Sequence, residues 1–365
     1  MEEQLKFRIG LTLLPGVGDV TAKKLVAYCG GVEAIFKEKK SALLKIPGVG
    51  KVLAEAVKSN KVLDRAEQEI LFIKKNGIKA LFYLDETYPN RLKYCDDSPV
   101  MLYCKGNMDF SNPKVVSIVG TRNSTEYGKR ICERLIEELV SYNVLVVSGL
   151  AYGIDICAHK AALNHNLPTV ASLAHGLDRV YPGIHKSVAE KIQSNGGLVS
   201  EFTSETNPDR ENFPKRNRII AGLADAVIVI EAGIKGGALI TAEIANGYNR
   251  DVFAFPGRIE DTYSAGCNRL IKINKAALIE SAKDLEYLMG WENKKGKPAI
   301  QKQLFVNLTP EEEIIVSLLK EKGTLYIDNL CLLAKFPTSK AAMVLLNLEF
   351  SGLVKALPGK LYQLN

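Results

Sequence analysis

The sequence lacks the features that mark membrane-spanning, secreted or disulfide-built proteins. No apolar run in its 365 residues reaches the roughly 18 that a transmembrane helix needs, and residues 1–8 are charged, so we expect no signal peptide. The sequence has seven cysteines, an odd number, and no Cys-x-x-Cys pair. This pattern predicts a protein of the reducing cytoplasm that has no disulfide framework. GxGxxG and Walker A motifs are also missing, which argues against an ordinary dinucleotide-binding fold.

The net charge of +7 is unevenly distributed. Residues 1–60 and 291–306 carry the whole positive excess, whereas residues 61–290 and 307–365 are each neutral. A modest positive charge is compatible with a nucleic-acid partner but does not by itself identify one.

The first 78 residues contain a short internal repeat, Leu-Pro-Gly-Val-Gly at 14–18 and Ile-Pro-Gly-Val-Gly at 46–50. Each copy precedes a helix-compatible run, and the free backbone amides at such a turn can cradle a phosphate. The two copies resemble the helix-hairpin-helix modules of DNA-handling proteins. The alternative is a pair of tight turns in a small helical bundle, and the sequence leaves open whether both hairpins touch DNA.

Residues 79–290 alternate short apolar strands with helical stretches, which predicts an α/β fold with a Rossmann-like, doubly wound parallel sheet. Two further strands, at 80–84 and 100–103, lead into it. The strands of the parallel sheet are predicted at 115–119, 144–147, 169–173, 198–200, 226–230, 252–255 and 277–279. The main helices are predicted at 126–142, 154–164, 185–194, 216–224 and 241–248.

A polar, lysine-rich linker is predicted at 291–306, followed by a winged-helix domain at 307–365. Helices are expected at 310–322, 326–334 and 338–350, with a hairpin at 352–364. The third helix is largely apolar and carries Lys340 as its one cation. A DNA-reading helix needs several polar or basic side chains, so we predict that this domain contacts protein.

Small residues follow four of the predicted strands, where an open parallel sheet binds its ligands. Glycine lets a backbone approach a phosphate, and the next helix N-terminus favours negative charge. The pattern predicts one shared anion site, built from Gly120-Thr121-Arg122, Ser148-Gly149, His175-Gly176 and Gly236-Gly237.

One basic stretch, at 212–218, combines an aromatic ring with cations: Phe213, Lys215, Arg216, Asn217 and Arg218. That mixture suits single-stranded nucleic acid, although a solvated helix start is the alternative. Neighbours on a helix point about 100° apart, so the three cations cannot share a face and one of them is expected to be structural.

Other polar residues are assigned structural roles. Asp155 and His159 stand at i and i+4 and are predicted to form a hydrogen-bonded pair, since no third residue has metal-ligand spacing. Tyr152 and Tyr181 could stack on bases, but we favour core packing for both. We expect neither a metal nor a catalytic residue.

Five motifs in this order resemble the DNA-processing protein A family (DprA, also called Smf). They are SIVGTR at 117–122, SGLAYGID at 148–155, GLD at 176–178, FPKRNRII at 213–220 and GGALITA at 236–242.

The resemblance implies a cytoplasmic, non-catalytic protein that binds single-stranded DNA and helps to load the RecA recombinase during natural transformation. It implies a homodimer formed through the Rossmann-like domains and no cofactor. Phosphate contacts are implied at Arg122, Lys215, Arg216 and Arg218, with backbone contributions from Ser148, Gly149, Gly236 and Gly237. A stacking role for Phe213 is our inference from the residue type. The sequence shows neither the dimer face nor the residues that contact RecA.

The alternative is an enzyme similar to the nucleotide phosphoribohydrolases, whose PGGxGTxxE stretch ends on a catalytic glutamate. Glu243 has the matching spacing after Gly236 and Gly237. However, Leu239 and Ile240 replace the Gly-Thr pair, which would narrow the cleft for a sugar phosphate. We therefore favour the non-enzymatic interpretation.

Overall fold

A computed structural model describes residues 2–59, 61–291, 308–357 and 360–364. The chain forms two compact units, residues 1–292 and 293–365. The helices of the first unit are α1 (Glu2–Thr12), α2 (Asp19–Cys29), α3 (Val32–Lys37), α4 (Lys40–Leu43), α5 (Lys51–Lys58), α6 (Lys61–Lys75), α7 (Asn90–Lys93), α8 (Glu126–Leu139), α9 (Ile154–Asn164), α10 (Lys186–Ile192), α11 (Asn212–Leu223), α12 (Gly237–Gly247), α13 (Ala265–Lys272) and α14 (Ala282–Leu288). Its strands are β1 (Lys79–Phe82), β2 (Met101–Gly106), β3 (Val115–Val119), β4 (Leu145–Ser148), β5 (Thr169–Ser172), β6 (Gly196–Ser200), β7 (Ala226–Val229), β8 (Asp251–Ala254) and β9 (Ala277–Leu278).

These nine strands form a single sheet in the order β1-β2-β6-β5-β4-β3-β7-β8-β9. Neighbouring strands from β6 to β9 in this order are parallel, whereas β1 and β2 are added antiparallel at one edge. The chain winds outward from β3 through β4, β5 and β6, then returns to the other side of β3 with β7. The predicted doubly wound α/β fold is confirmed, and its direction reverses between β3 and β7.

The sheet is apolar on both faces because helices cover both. All five residues of β3 are buried. Val116 and Ile118 pack with Leu135 of α8 on one face, while Val115 and Val119 pack with Ile219 of α11 on the other. Two-sided burial of this kind is typical of parallel strands with crossover helices.

The N-terminal helices share a hydrophobic core with one edge of the sheet. Ile9 and Leu25 belong to the same buried cluster as Met101 and Tyr103 of β2. A polar contact joins the same parts, since the backbone N–H of Val100 donates to the Asp19 carboxylate over 2.7 Å. Residues 1–78 and 79–290 therefore belong to one compact unit, and a module boundary at 78 stays a proposal.

Two helices begin earlier than predicted. Helix α11 begins at Asn212 although Pro214 lies in its first turn. Proline is tolerated in a first turn because the N–H that it lacks would have no helical partner there. Helix α12 begins at Gly237 with Gly236 as its N-cap. Trp291 was expected in the linker but packs beside Tyr142, with ring centroids 6.3 Å apart. The rest of the predicted linker, 292–306, lies outside the described residues.

The second unit has the outline of a winged helix. It comprises α15 (Pro310–Lys322), β10 (Leu325–Tyr326), α16 (Ile327–Ala334), α17 (Thr338–Phe350), β11 (Val354–Leu357) and β12 (Leu361–Leu364). The strands pair antiparallel in the order β10-β12-β11, and residues 358–359 of the predicted hairpin lie outside the described part. Helix α17 buries Val344 and Leu348 but exposes Met343 and Phe350. Lys340, its one cation, pairs with Glu311 at 2.9 Å.

None of the helices in the described ranges is both long enough and apolar enough to cross a membrane.

Candidate nucleic-acid interface

The reversal of the sheet between β3 and β7 opens a crevice at the carboxyl ends of these two strands. The segment that leaves β3, Gly120 to Arg122, is tied to the opposite strand by the Thr121 N–H, which donates to the Glu231 carbonyl over 2.7 Å. A Cβ at residue 120 would lie 2.4 Å from the Ile154 side chain, so only glycine permits this close packing. Ligands of open α/β sheets bind at such a switch point.

An open groove of about 690 Å³ occupies this crevice. It brings together residues from separate predicted motifs, namely Gly120, Thr121, Arg122, Phe213, Arg216, Asn217, Gly236 and Gly237. Gly236 and Gly237 open α12, an eleven-residue helix, so its N-terminal amides and dipole favour an anion at that end of the groove.

An exposed cation of the groove lies over an aromatic ring. The guanidinium carbon of Arg122 is 5.1 Å from the ring centroid of Phe213, and the ring of Tyr181 meets Phe213 edge-on at 6.3 Å. Within the described residues, Arg122 forms no ion pair. A charge and two ring surfaces thus face solvent at the same point.

A small cavity of about 30 Å³ lies beside this pair, lined in part by Arg122, Phe213 and Arg216. Three buried polar atoms of its lining residues have no hydrogen-bond partner in the part of the chain that the structure describes: Ser172 Oγ, His175 Nε2 and Arg216 Nε. Burial lowers the pKa of His175, so its ring is neutral near pH 7. Buried polar groups are normally hydrogen-bonded, and a cavity of this size has room for a water or for one polar group of a ligand to bond these atoms.

Arg216 is a buried cation at the base of the groove, not a surface one. Its side chain is 4% exposed, and its Nη1 donates to the Ser172 carbonyl over 2.8 Å. Burial lowers the pKa of Arg216 and raises that of the neighbouring Asp155, while each charge opposes the shift of the other. The guanidinium of Arg216 and the carboxyl of Asp155 thus lie together at the base of the groove.

Ser148 and Gly149 do not line the groove, although backbone contacts to phosphate were expected from both. Both are buried, and the Ser148 hydroxyl donates to the Ile118 carbonyl over 2.6 Å. A Cβ at residue 149 would lie 2.0 Å from Arg216 Nη1. The predicted backbone contact to phosphate therefore stays a prediction for these two residues, and the role that the structure gives Gly149 is to leave room for Arg216.

Arg218 and Lys215 lie on another side of α11, at a second cavity of about 400 Å³. Arg218 pairs with Asp19 at 2.9 Å and also contacts the Glu201 carboxylate. This guanidinium is already paired and largely buried, so these contacts do not favour a role in phosphate binding, which stays a prediction for Arg218. Lys215 is exposed, lies 4.0 Å from Glu211 and does not line the groove.

Comparison with known proteins agrees with this architecture. The family model described as DNA recombination-mediator protein A matches residues 79–289. The chain belongs to this family, DprA. The DprA winged-helix domain matches 302–360 and a helix-hairpin-helix tandem matches 9–59.

Several DprA relatives resemble the chain over much of its length. The putative DNA processing protein DprA of Mycobacterium tuberculosis is 32% identical, covering 92% of this chain and 88% of its own. Protein Smf of Synechocystis is 37% identical over 75% of this chain and 70% of its own.

Two solved DprA structures share the fold. The X-ray structure of Streptococcus pneumoniae DprA is 33% identical with a TM-score of 0.65, covering 77% of this chain and 97% of that one. The Helicobacter pylori structure, described for its single-stranded DNA binding mode, is 30% identical with a TM-score of 0.53, covering 59% and 96%.

Two residues of this DprA-family groove escaped the sequence interpretation. Arg210 and Tyr181 both line it, and Tyr181 is 48% exposed where core packing was expected. Tyr152 is also exposed, edge-on to His185. The sequence offered one signal for Arg210, which is its positive charge two residues before the basic stretch. Nothing in the sequence indicated that Tyr152 and Tyr181 are exposed.

The Asp155–His159 pair is not present as predicted in this DprA-family fold. His159 Nδ1 bonds Thr169 Oγ1 at 2.8 Å and its Nε2 bonds the Gly149 carbonyl, while Asp155 lies beside Arg216. Burial lowers the pKa of His159 to about 4, which keeps its ring neutral. Among the described residues, no three or more His, Cys, Asp or Glu cluster as metal ligands.

The DprA-family groove also lacks the carboxylate that the enzymatic alternative requires. Glu243 does not line it but pairs with Lys275 at 2.5 Å on the exposed side of α12. Its spacing from Gly237 therefore does not bring it to the anion site.

Proposed function

We propose that this DprA-family chain binds single-stranded DNA in the switch-point groove and catalyses no reaction on it. The observation that carries the proposal is Arg122 lying over Phe213, next to a cavity with three unpaired polar atoms. An aromatic ring at the edge of a groove can stack on an unpaired base, whereas the bases of a duplex are stacked and paired with each other. The Helicobacter pylori relative, whose structure is described for its single-stranded DNA binding mode, supports the same ligand class.

The contacts are assigned from the groove. Arg122 holds a phosphate and Phe213 stacks on a base. The backbone amides of Gly236 and Gly237 approach the sugar–phosphate backbone of the DNA. Gly120, Thr121 and Asn217 line the same groove, and Arg210 is added as a cation at its rim. Arg216 contributes its charge from below, because burial keeps it from direct contact with the strand.

The wider role is recombination mediation in the cytoplasm: the protein helps to load RecA onto incoming single strands in natural transformation. The family description, DNA recombination-mediator protein A, supports this role. We also propose a homodimer. The outermost parallel strand, β9, leaves Leu278 half-exposed, and nearby Ile273 is similarly exposed, which is compatible with a second copy at this edge of the sheet.

The test is equilibrium binding of labelled single-stranded and duplex oligonucleotides of equal length. Wild type should prefer the single strand, and Arg122→Glu should weaken that binding by at least about tenfold, or about 1.4 kcal/mol. Arg134→Glu is the matched control, since Arg134 is an exposed arginine of α8 outside the groove. Equal losses in both variants, or equal affinity for duplex, would refute the proposed site.

RecA loading needs its own measurement. The rate of RecA filament formation on single strands coated with single-strand-binding protein should rise with wild type and much less with Arg122→Glu. No increase with wild type would refute mediation while leaving DNA binding in place.

A further inference from the structure

The segment between β6 and α11, residues 201–211, forms one rim of the switch-point groove, and we call it the rim loop. It contains no helix or strand, and within it Pro208 and Arg210 line the groove. Arg210 is exposed and forms no ion pair within the described residues. Its place beside the groove therefore depends on how the backbone of the rim loop is held.

Two charged residues of α6, one of the N-terminal helices, hold the rim loop at Ser204. The Glu69 carboxylate accepts hydrogen bonds from the Ser204 backbone N–H, over 2.9 Å, and from the Ser204 hydroxyl. Arg65 Nη2 donates to the Ser204 carbonyl over 2.6 Å, and Arg65 Nη1 donates to the Glu69 carboxylate over 3.0 Å. The three residues thus form a closed ring of hydrogen bonds, which we call the Ser204 anchor.

The Ser204 anchor is buried, and helix stability does not explain it. Glu69 is 2% exposed and Ser204 is 8% exposed. Hydrogen bonds to a buried carboxylate are charge-assisted, and losing one leaves a buried polar group without its partner. Arg65 precedes Glu69 at i and i+4, which is the less favourable order for an ion pair on a helix. The two side chains are therefore better explained by their contact with the rim loop.

We propose that the Ser204 anchor sets the position of the rim loop, so that the N-terminal helices control the affinity of the groove for single-stranded DNA. The inference rests on the proposed function. Arg65, Glu69 and Ser204 do not line the groove, so they are positioning residues and not DNA contacts.

Backbone strain beside the anchor gives the rim loop a reason to move when the anchor is lost. Glu205 has a φ of 68°, in the left-handed region that residues other than glycine rarely adopt. Such a conformation persists only where its surroundings fix it. Here Ser204 is bonded on one side, and Asp178 Oδ1 accepts the Glu205 N–H over 3.0 Å on the other. Further along, Asn212 Nδ2 donates to the Asn207 carbonyl over 3.1 Å, which connects the rim loop to the start of α11.

Hydrogen–deuterium exchange of the full-length protein without DNA tests the anchor directly. Glu69→Gln replaces one carboxylate oxygen, an acceptor, by an amide that only donates. Peptides covering residues 203–207 should then exchange at least about tenfold faster than in wild type, while β3 keeps its protection. Unchanged exchange of the rim loop, or equal acceleration in β3, overturns the proposal.

A second variant keeps the exchange experiment decisive if Glu69→Gln does not fold. Ser204→Ala removes only the hydroxyl and leaves the Arg65–Glu69 ion pair in place. The same peptides should exchange faster, to a smaller extent, because the backbone bonds of the anchor remain. Wild-type exchange rates in a folded Ser204→Ala variant would contradict the proposal.

Titrations with labelled single strands test the effect on the groove. Glu69→Gln should bind at least about fivefold more weakly than wild type, because the rim loop no longer holds its groove-lining residues in place. Glu33→Gln is the matched control, since Glu33 forms an exposed i,i+4 ion pair with Lys37 on another N-terminal helix, α3. The control should bind as wild type does. Equal affinities of Glu69→Gln and Glu33→Gln would overturn the proposal.

A double substitution separates positioning from a general loss of stability. Arg210→Gln alone should weaken single-strand binding at least about threefold, whereas its addition to Glu69→Gln should cause little further loss. Losses that multiply independently would contradict the proposal. A wild-type protein that binds no single strands would refute the DNA site itself, and the exchange experiment, which needs no DNA, would still decide whether the anchor holds the rim loop.

Discussion

Arg122 and Phe213 form a cation–π pair, with 5.1 Å between the guanidinium carbon and the ring centroid. The two residues come from different sequence motifs, one leaving β3 and the other beginning α11. Their pairing places a positive charge and an aromatic surface at one point of the groove, so a phosphate and its base can be bound by neighbouring side chains.

Replacing either member of this pair should affect different components of binding. Phe213→Leu removes the stacking surface and should weaken single-strand binding by about 1–3 kcal/mol, with the salt dependence unchanged. Phe213→Tyr keeps a ring and should bind nearly as wild type. Arg122→Gln removes a phosphate contact and should reduce the slope of log K against log salt by about 0.7. Titrations at several salt concentrations measure both; a changed slope in Phe213→Leu would contradict the assignment.

Gly149→Ala should disturb the groove from below. The new Cβ would lie 2.0 Å from Arg216 Nη1 and 2.4 Å from Asp155 Oδ2, so the buried pair must shift. Overpacking of this kind costs about 1–3 kcal/mol, and the displaced charge should weaken DNA binding. Gly247→Ala, with no atom within 4 Å of its added Cβ, is the control. Chemical denaturation and binding titrations should separate the variants; unchanged behaviour of Gly149→Ala would refute this role of the glycine.

Arg218→Met should reduce stability and not DNA affinity. The substitution leaves the carboxylates of Asp19 and Glu201 without their shared cation, and breaking a buried pair costs about 3 kcal/mol. Lys275→Met removes the exposed pair with Glu243 and should cost at most about 1 kcal/mol. Urea denaturation gives both values. A folded Arg218→Met variant with a reduced salt slope for DNA would instead support Arg218 as a phosphate contact.

Stability should depend on the protonation of Glu201. Burial raises the pKa of this carboxyl from its ordinary value to about 7, although Arg218 opposes the shift. The folded protein therefore retains a proton that the unfolded chain releases above about pH 4.3, so wild type loses stability as pH rises from there to about 7. Glu201→Gln cannot ionise, and its stability relative to wild type should improve over that range by on the order of 3 kcal/mol. Parallel curves in thermal unfolding at pH 5 and pH 7 would contradict this.

Much of the fold was predictable from the sequence because it depends on local patterns. The apolar strands indicate the sheet, and α9 begins and ends at the predicted residues 154 and 164. Hydrophobic periodicity did not reveal the early start of α11, because the first turn of this helix is polar and contains Pro214. Such boundaries depend on single hydrogen bonds and not on hydrophobic periodicity.

The groove was predictable in part. Strand order forces Arg122 and Gly236 to the same edge of the sheet, so their meeting follows from the fold class. The orientation of α11 did not follow, because it depends on partners far along the chain: Asp19, which receives Arg218, lies 199 residues away. The burial of Arg216 was not predictable either. It depends on Gly149, whose missing side chain leaves room for the guanidinium in the folded protein.

The register that aligns Val119 of β3 with Val229 of β7 has a consequence for biosynthesis. The segment with Arg122, which forms one wall of the groove, is synthesised first. The other wall contains Phe213 and Gly236 and is synthesised about a hundred residues later. Until β7 adds to the far side of β3, the nascent polypeptide has half a cleft. Ligand competence is therefore among the last properties that this unit acquires as it folds during translation.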